Sequence, residues 1–107
     1  MAVPELLPQQ LKRRLDAGEP LRLLDVREPW ECAMARLPGS VNIPLGEIPS
    51  RWRELDAESE IIVVCKAGGR SRRAAQFLLA QGFGRVANLS GGIDAWTRDI
   101  DPSLPSY

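Results

Sequence analysis

The chain has 107 residues, of which 44% are hydrophobic and 26% are charged, and this composition is that of one ordinary globular domain. Its 14 basic and 14 acidic residues cancel, so charge gives no reason to expect nucleic acid or an anionic membrane as a partner. No apolar run approaches the length of a membrane span, and residues 1–20 lack a signal-peptide pattern. We therefore expect a cytoplasmic protein with a single domain over residues 1–107.

The cysteine and histidine counts restrict the chemistry. The two cysteines, Cys32 and Cys65, form neither a disulfide framework nor a CxxC pair. The absence of histidine excludes Cys-His dyads, Ser-His-Asp triads and nearly all zinc sites, so we predict no metal. A reactive thiolate in this chain must therefore be stabilised by nearby positive charge and backbone dipoles rather than by a neighbouring base.

The first half of the chain alternates helical and strand patterns. Pro8 suits the first turn of a helix over residues 9–17, which Gly18 ends. A second helix is predicted from residue 28 to about residue 34. Strands are predicted over residues 21–26 and 40–44 because these runs are apolar and bounded by turn residues.

The second half continues the alternation. We predict helices over residues 46–55, 71–81 and 93–97, strands over 61–64 and 85–89, and an irregular tail from about residue 99. This order indicates a three-layer α/β domain with a central, mostly parallel sheet of four or five strands flanked by helices. Ligands of such sheets bind beyond the carboxyl ends of the strands, where Cys65, Asp25 and Arg27 lie.

The stretch that follows the strand over residues 61–64 has the features of an anion site that contains a nucleophile. Cys65 ends the strand, and Gly68-Gly69 permits a backbone that points several N–H groups inward. Lys66 and Arg70 place a cation on either side, and Ser71 is a candidate N-cap of the next helix. The alternative is that Cys65 is a small buried apolar residue and that the cations are only solvated.

Four segments, taken in order, resemble the motifs of the rhodanese family of sulfurtransferases. The sequence from Cys65 to Ser71 is similar to the family's C-x-x-G-x-R-S loop. The other three segments are Asp25-Val-Arg27-Glu-Pro-Trp-Glu31, Leu37-Pro-Gly39-Ser-Val-Asn-Ile43-Pro and Gly91-Gly92-Ile-Asp-Ala-Trp96. The chain departs from the family at Ala35-Arg36, where Gly-His is common.

This resemblance implies a rhodanese-like fold and a thiosulfate sulfurtransferase. Cys65 would take sulfane sulfur from thiosulfate, or a similar anionic donor, as a covalent persulfide and pass it to cyanide, a thiol or a partner protein. No other cofactor is expected. The donor and the persulfide would be held by the loop residues Lys66, Ala67, Gly68, Gly69, Arg70 and Ser71.

The resemblance also suggests supporting roles for residues outside the loop. Asp25 is expected to brace Arg70 or the loop, and Arg27 is expected at the rim of the site. Gly91, Gly92 and Trp96 are expected to pack the end of the domain. Cys32 is expected in the core, with a role as resolving thiol left open.

Nothing in the sequence suggests an obligate interface, so we expect a monomer.

Two other functions are compatible with a cysteine in such a loop. Cysteine phosphatases and arsenate reductases use C-x5-R, whereas only four residues separate Cys65 from Arg70 here, so this alternative is disfavoured. A persulfide carrier that delivers sulfur to one specific partner needs the same residues as the enzyme and stays open.

Overall fold

The apolar run that precedes Cys65 forms the central strand of a five-stranded sheet. The computed structural model describes residues 2–107 and contains β1 (Glu5–Leu6), β2 (Leu21–Asp25), β3 (Val41–Asn42), β4 (Glu60–Val64) and β5 (Val86–Leu89). The strand order is β1-β5-β4-β2-β3, and all neighbours pair in parallel. The predicted α/β class and the parallel sheet are confirmed.

Five α-helices connect and cover these strands. They are α1 (Pro8–Asp16), α2 (Pro29–Met34), α3 (Ile48–Arg51), α4 (Gly69–Ala80) and α5 (Gly92–Asp99). Within residues 2–107, no helix combines the length and the apolar character that are needed to cross a bilayer.

Both faces of the sheet are buried, which explains why β4 is apolar without alternation. Ile61 and Val63 pack in one core cluster with Ala74 and Leu78 of α4. The second cluster contains Ile62 and Val64 together with Leu11 of α1 and Trp96 of α5. Residues of one strand point alternately to opposite faces, so β4 contributes to both layers.

Two parts of the chain differ from the sequence-based expectation. The helix predicted over residues 46–55 is three short pieces, since 3-10 turns over Leu45–Glu47 and Trp52–Glu54 flank α3. Gly46 and Pro49 both disfavour a continuous helix there. The strand β1 was not predicted, because two residues show no periodicity; its register on β5 pairs Glu5 with Asn88.

The order of the strands places the loop after β4 at a switch in direction. The chain leaves β2 toward β3 on one side, and it leaves β4 toward β5 on the other. The carboxyl ends of β2 and β4 therefore border the crevice where ligands of parallel sheets bind. Asp25 and Cys65 lie at these two ends.

Candidate active site

The thiol of Cys65 lies inside the loop that joins β4 to α4. The residue is 1% exposed. The Gly68 N–H donates to Sγ at 3.0 Å, and the Ser71 hydroxyl oxygen lies 3.2 Å from Sγ. Two groups that can donate hydrogen bonds thus converge on the sulfur atom, and such groups favour an anionic over a neutral sulfur.

The turn at Gly68 makes this geometry possible. Gly68 has φ +110°, a conformation that side-chain-bearing residues rarely adopt, and it caps the amino end of α4. The structure thereby corrects the prediction that Ser71 is the N-cap, because α4 already begins at Gly69 and Ser71 lies in its first turn. The serine hydroxyl instead lies within hydrogen-bond distance of the thiol, of the Gly68 carbonyl oxygen and of the Asn88 side chain.

The amino end of α4 supplies further donors. Within residues 2–107, no carbonyl oxygen accepts a hydrogen bond from the N–H groups of Gly69, Arg70 or Ser71. The first N–H groups of a helix have no partner inside the helix, and they carry its positive dipole end. An anion bound beside Cys65 would meet these groups.

The amino end of α5 holds the other side of the loop. The N–H groups of Ile93 and Asp94 donate to the carbonyl oxygens of Cys65 and Lys66 at 2.8 and 3.0 Å. These two carbonyls, which would repel an anion, therefore point toward α5. The approach requires Gly92, because a Cβ there would collide with both oxygens.

Both cations of the loop have carboxylate partners. The Lys66 ammonium bonds Asp94 at 3.0 and 3.1 Å. The Arg70 guanidinium forms a bidentate pair with Glu31 at 2.6 and 2.9 Å. The hydrogen bonds from Arg70 lower the pKa of Glu31 to about 2. Arg70 is therefore held by α2 beside the loop.

Asp25 does not brace Arg70 or the loop, which is a correction to the expectation. Its carboxylate binds Arg27 through three contacts of 2.6, 2.9 and 3.0 Å, and both side chains are buried. The motif residue that reaches the loop is Glu31, whose role the sequence reading missed. Two carboxylates in one segment could not be distinguished before the direction of α2 was known.

Arg27 is wholly buried rather than at the rim, a second correction. Its guanidinium also donates to the Ala35 carbonyl and to the Tyr107 hydroxyl, both at 2.6 Å. Burial opposes its charge, but the hydrogen bonds to Asp25 and Tyr107 outweigh it and raise the pKa of Arg27. Arg27 thus joins the end of β2 to the tail of the chain.

The tail contributes a residue that no motif predicted. Residues 100–107 carry no helix or strand, yet Tyr107 reaches the site. Its hydroxyl donates to Glu31 at 3.0 Å, and the Lys66 ammonium lies 5.0 Å from the centre of its ring. Burial, together with the Glu31 contact, raises the pKa of Tyr107 to about 12. Because Tyr107 and Glu31 are far apart in the chain, no local pattern in the sequence predicts their contact.

Cys32 is partly exposed, not a core residue as expected. Burial and the neighbouring Asp25 carboxylate raise the pKa of the Cys32 thiol. A raised pKa disfavours the thiolate form of Cys32, so the structure offers no support for Cys32 as a nucleophile. Cys65 and Cys32 are both free thiols.

Comparison with known proteins gives a family and close structural neighbours. Residues 7–99 match the family described as the rhodanese-like domain. A sulfurtransferase of Allochromatium vinosum is 38% identical over 96 residues, with 90% of each chain covered. YrkF of Bacillus subtilis, which carries the name of a sulfur carrier protein, is 42% identical over 90% of this chain, and this chain spans 52% of that relative. A rhodanese-like domain protein of Staphylococcus aureus superimposes with a TM-score of 0.85 at 28% identity, covering 98% of this chain and 99% of that one.

Proposed function

The chain belongs to the rhodanese-like domain family, and on that premise we propose that it moves sulfane sulfur from thiosulfate, or a similar anionic donor, through a persulfide on Cys65. Sulfurtransferase or sulfur-carrier activity is the function that its relatives' names share. The donor, the nucleophile and the acceptor are the parts of the proposal that go beyond the family.

The proposed reaction has two displacements. The Cys65 thiolate attacks the outer sulfur of thiosulfate; the new Sγ–S bond forms as the old S–S bond breaks, and sulfite leaves with the electron pair. Cyanide or a thiolate then attacks the outer sulfur of the persulfide and restores the Cys65 thiolate. Charge and atoms balance in both steps without an oxidant, so we propose no metal or organic cofactor.

One observation carries the proposal: donors converge on Sγ next to the unpaired N–H groups of α4. The Gly68 N–H and the Ser71 hydroxyl suit a thiolate, and the N–H groups of residues 69–71 suit the negative outer sulfur of a persulfide. In the proposed reaction the negative charge moves from Sγ of Cys65 to the outer sulfur of the persulfide. The loop has candidate hydrogen-bond donors for each of these two atoms.

A second candidate function is that of a persulfide carrier that delivers sulfur to one protein partner. The similarity to YrkF favours it. Enzyme and carrier form the same Cys65 persulfide, and they differ in whether small thiophiles discharge it repeatedly. The monomeric state and the cytoplasmic location stay predictions for either function.

Mass spectrometry after thiosulfate treatment tests the persulfide. We expect a gain of one sulfur, about 32 Da, in the wild type and in Cys32→Ala, and none in Cys65→Ala. An adduct that persists in Cys65→Ala would overturn the assignment.

Steady-state kinetics then separate the two functions and test the disfavoured one. Rapid thiocyanate formation from thiosulfate and cyanide indicates the enzyme, and a single discharge that needs a protein acceptor indicates the carrier. Sustained hydrolysis of an aryl phosphate would contradict both and support the phosphatase alternative.

A further inference from the structure

The hydroxyl of Ser71 lies among three atoms that can accept its proton. They are Cys65 Sγ at 3.2 Å, the Gly68 carbonyl oxygen at 3.2 Å, and Oδ1 of the Asn88 side chain. A serine hydroxyl has one proton to donate. The three acceptors therefore compete, and the direction of this proton depends on the charge of the sulfur.

The orientation of the Asn88 amide is determined by its other neighbours. Asn88 lies on β5 and is fully buried, and its Nδ2 is 3.1 and 3.2 Å from the Glu5 carboxylate and 3.2 Å from the Gly68 carbonyl. Both partners are acceptors only, so the amide nitrogen must face them and Oδ1 must face Ser71. The pairing of β1 with β5, which places Glu5 opposite Asn88, thus makes Oδ1 a permanent acceptor.

The two chemical states of Cys65 make opposite demands on Ser71. A thiolate carries its charge on Sγ, and a charged acceptor draws the Ser71 proton away from Asn88. In a persulfide the charge lies on the outer sulfur, and Sγ becomes a neutral, weak acceptor. The proton can then return to Oδ1 of Asn88, which it can do by rotation of the hydroxyl without any proton transfer.

We propose that Asn88 is a positioning residue that competes with Cys65 for the Ser71 proton and thereby favours the persulfide over the free thiolate. The inference rests on the proposed function for its persulfide state. The hydrogen-bond partners of the Asn88 side chain are Ser71, Glu5 and Gly68. It acts through Ser71.

The two cations of the loop have partners that do not involve Asn88. Lys66 is paired with Asp94 on α5, and Arg70 is paired with Glu31 on α2. Glu5, behind Asn88, loses the amide contact when Asn88 is replaced but keeps its contacts with Ser90 at 2.8 Å and with the Arg72 guanidinium at 3.3 Å. The Gly68 carbonyl also keeps a donor, because the Arg72 N–H bonds it at 3.2 Å.

The test measures the pH dependence of Cys65 alkylation by iodoacetamide in Cys32→Ala protein. Removal of the competing acceptor in Asn88→Ala frees the Ser71 proton for the thiolate, so the midpoint should move to lower pH by about half a unit or more. Asn88→Leu, which refills the space, should shift it in the same direction. Ser71→Ala should shift it to higher pH.

A double substitution isolates the path through Ser71. In Ser71→Ala protein, the further change Asn88→Ala should have no effect on the midpoint. The ratio of persulfide to free Cys65 at a fixed ratio of thiosulfate to sulfite should fall about threefold or more in both single Asn88 variants.

The sign of the shift decides the outcome. A loop that only loosens would lose the Gly68 N–H contact to Sγ and move the midpoint to higher pH, so a higher or unchanged midpoint in both Asn88 variants overturns the inference. Absence of any persulfide in the wild type would instead refute the proposed function, and the alkylation profiles would still report the direction of the hydroxyl.

Discussion

Arg70 Nη1 and Nη2 bond the two oxygens of Glu31 at 2.6 and 2.9 Å, which ties the loop after β4 to α2. The Glu31 side chain is 5% exposed and that of Arg70 is 34% exposed. A bidentate pair of this kind restricts the guanidinium in orientation as well as position. Arg70 is therefore fixed beside the candidate site, with much of its charge balanced by the Glu31 carboxylate.

This pair predicts a loss of stability in acid. The pKa of Glu31 falls from 4.5 to about 2 on folding, so the folded state holds its proton less tightly than the unfolded state. The stabilisation is complete above pH 4.5 and is lost as pH falls toward 2, amounting to about 3 kcal/mol. Urea unfolding across this range should show a larger loss of stability in the wild type than in Glu31→Gln. The exposed Glu58→Gln is the control and should keep the wild-type profile.

The Lys66–Asp94 pair predicts opposite effects from its two members on the proposed reaction. Lys66→Gln removes a cation next to Cys65, so the KM for thiosulfate should rise about threefold, and Asp94→Asn frees the cation and should lower it. Both effects should shrink in high salt because the pair is partly exposed. Lys12 forms the same kind of pair with Asp16 on α1, so Lys12→Gln is the matched control and should leave the KM unchanged. Equal effects at both lysines would argue against a local role for Lys66.

Gly92 is predicted to be the glycine whose replacement most disturbs the loop that contains Cys65. Its φ is +61°, and an added methyl group would strike the carbonyl oxygens of Cys65 and Lys66. Gly92→Ala should lower the free energy of unfolding by about 3 kcal/mol, since strain and overpacking add, and should abolish persulfide formation. Thermal melts and mass spectrometry measure the two effects. Gly84→Ala, where no atom lies within 4 Å of the added carbon, should change neither.

Tyr107 is predicted to stabilise the fold through its hydroxyl. Tyr107→Phe keeps the ring but leaves a buried Arg27 N–H and a Glu31 oxygen without this partner. Chemical denaturation should show a loss of about 1–2 kcal/mol. Ser106→Ala, at the exposed neighbouring position, should have no effect. A Tyr107→Phe protein as stable as the wild type would show that solvent replaces the hydroxyl at both contacts.

The fold class and the placement of Cys65 in the loop after β4 were predictable because both follow from local patterns. The run before Cys65 is apolar at every position. Such a run is typical of a strand that is buried on both faces, which indicates a central strand of a parallel sheet. Gly68 permits a tight turn, and the apolar spacing after it predicts a helix. A helix that begins directly after a strand-end thiol brings its first N–H groups close to that thiol. These features need information only from residues close together in the chain.

The partners of the charged residues were decided by the tertiary structure. Asp25 and Glu31 are both carboxylates near the end of β2, and only the direction of α2 determines that Glu31 meets Arg70 while Asp25 meets the buried Arg27. Glu5, Asn88 and Tyr107 come to the loop from far along the chain, through an added edge strand and through the packing of the tail. Hydrogen bonds form between groups that are adjacent in space, and the sequence by itself records which groups exist but not which of them become neighbours.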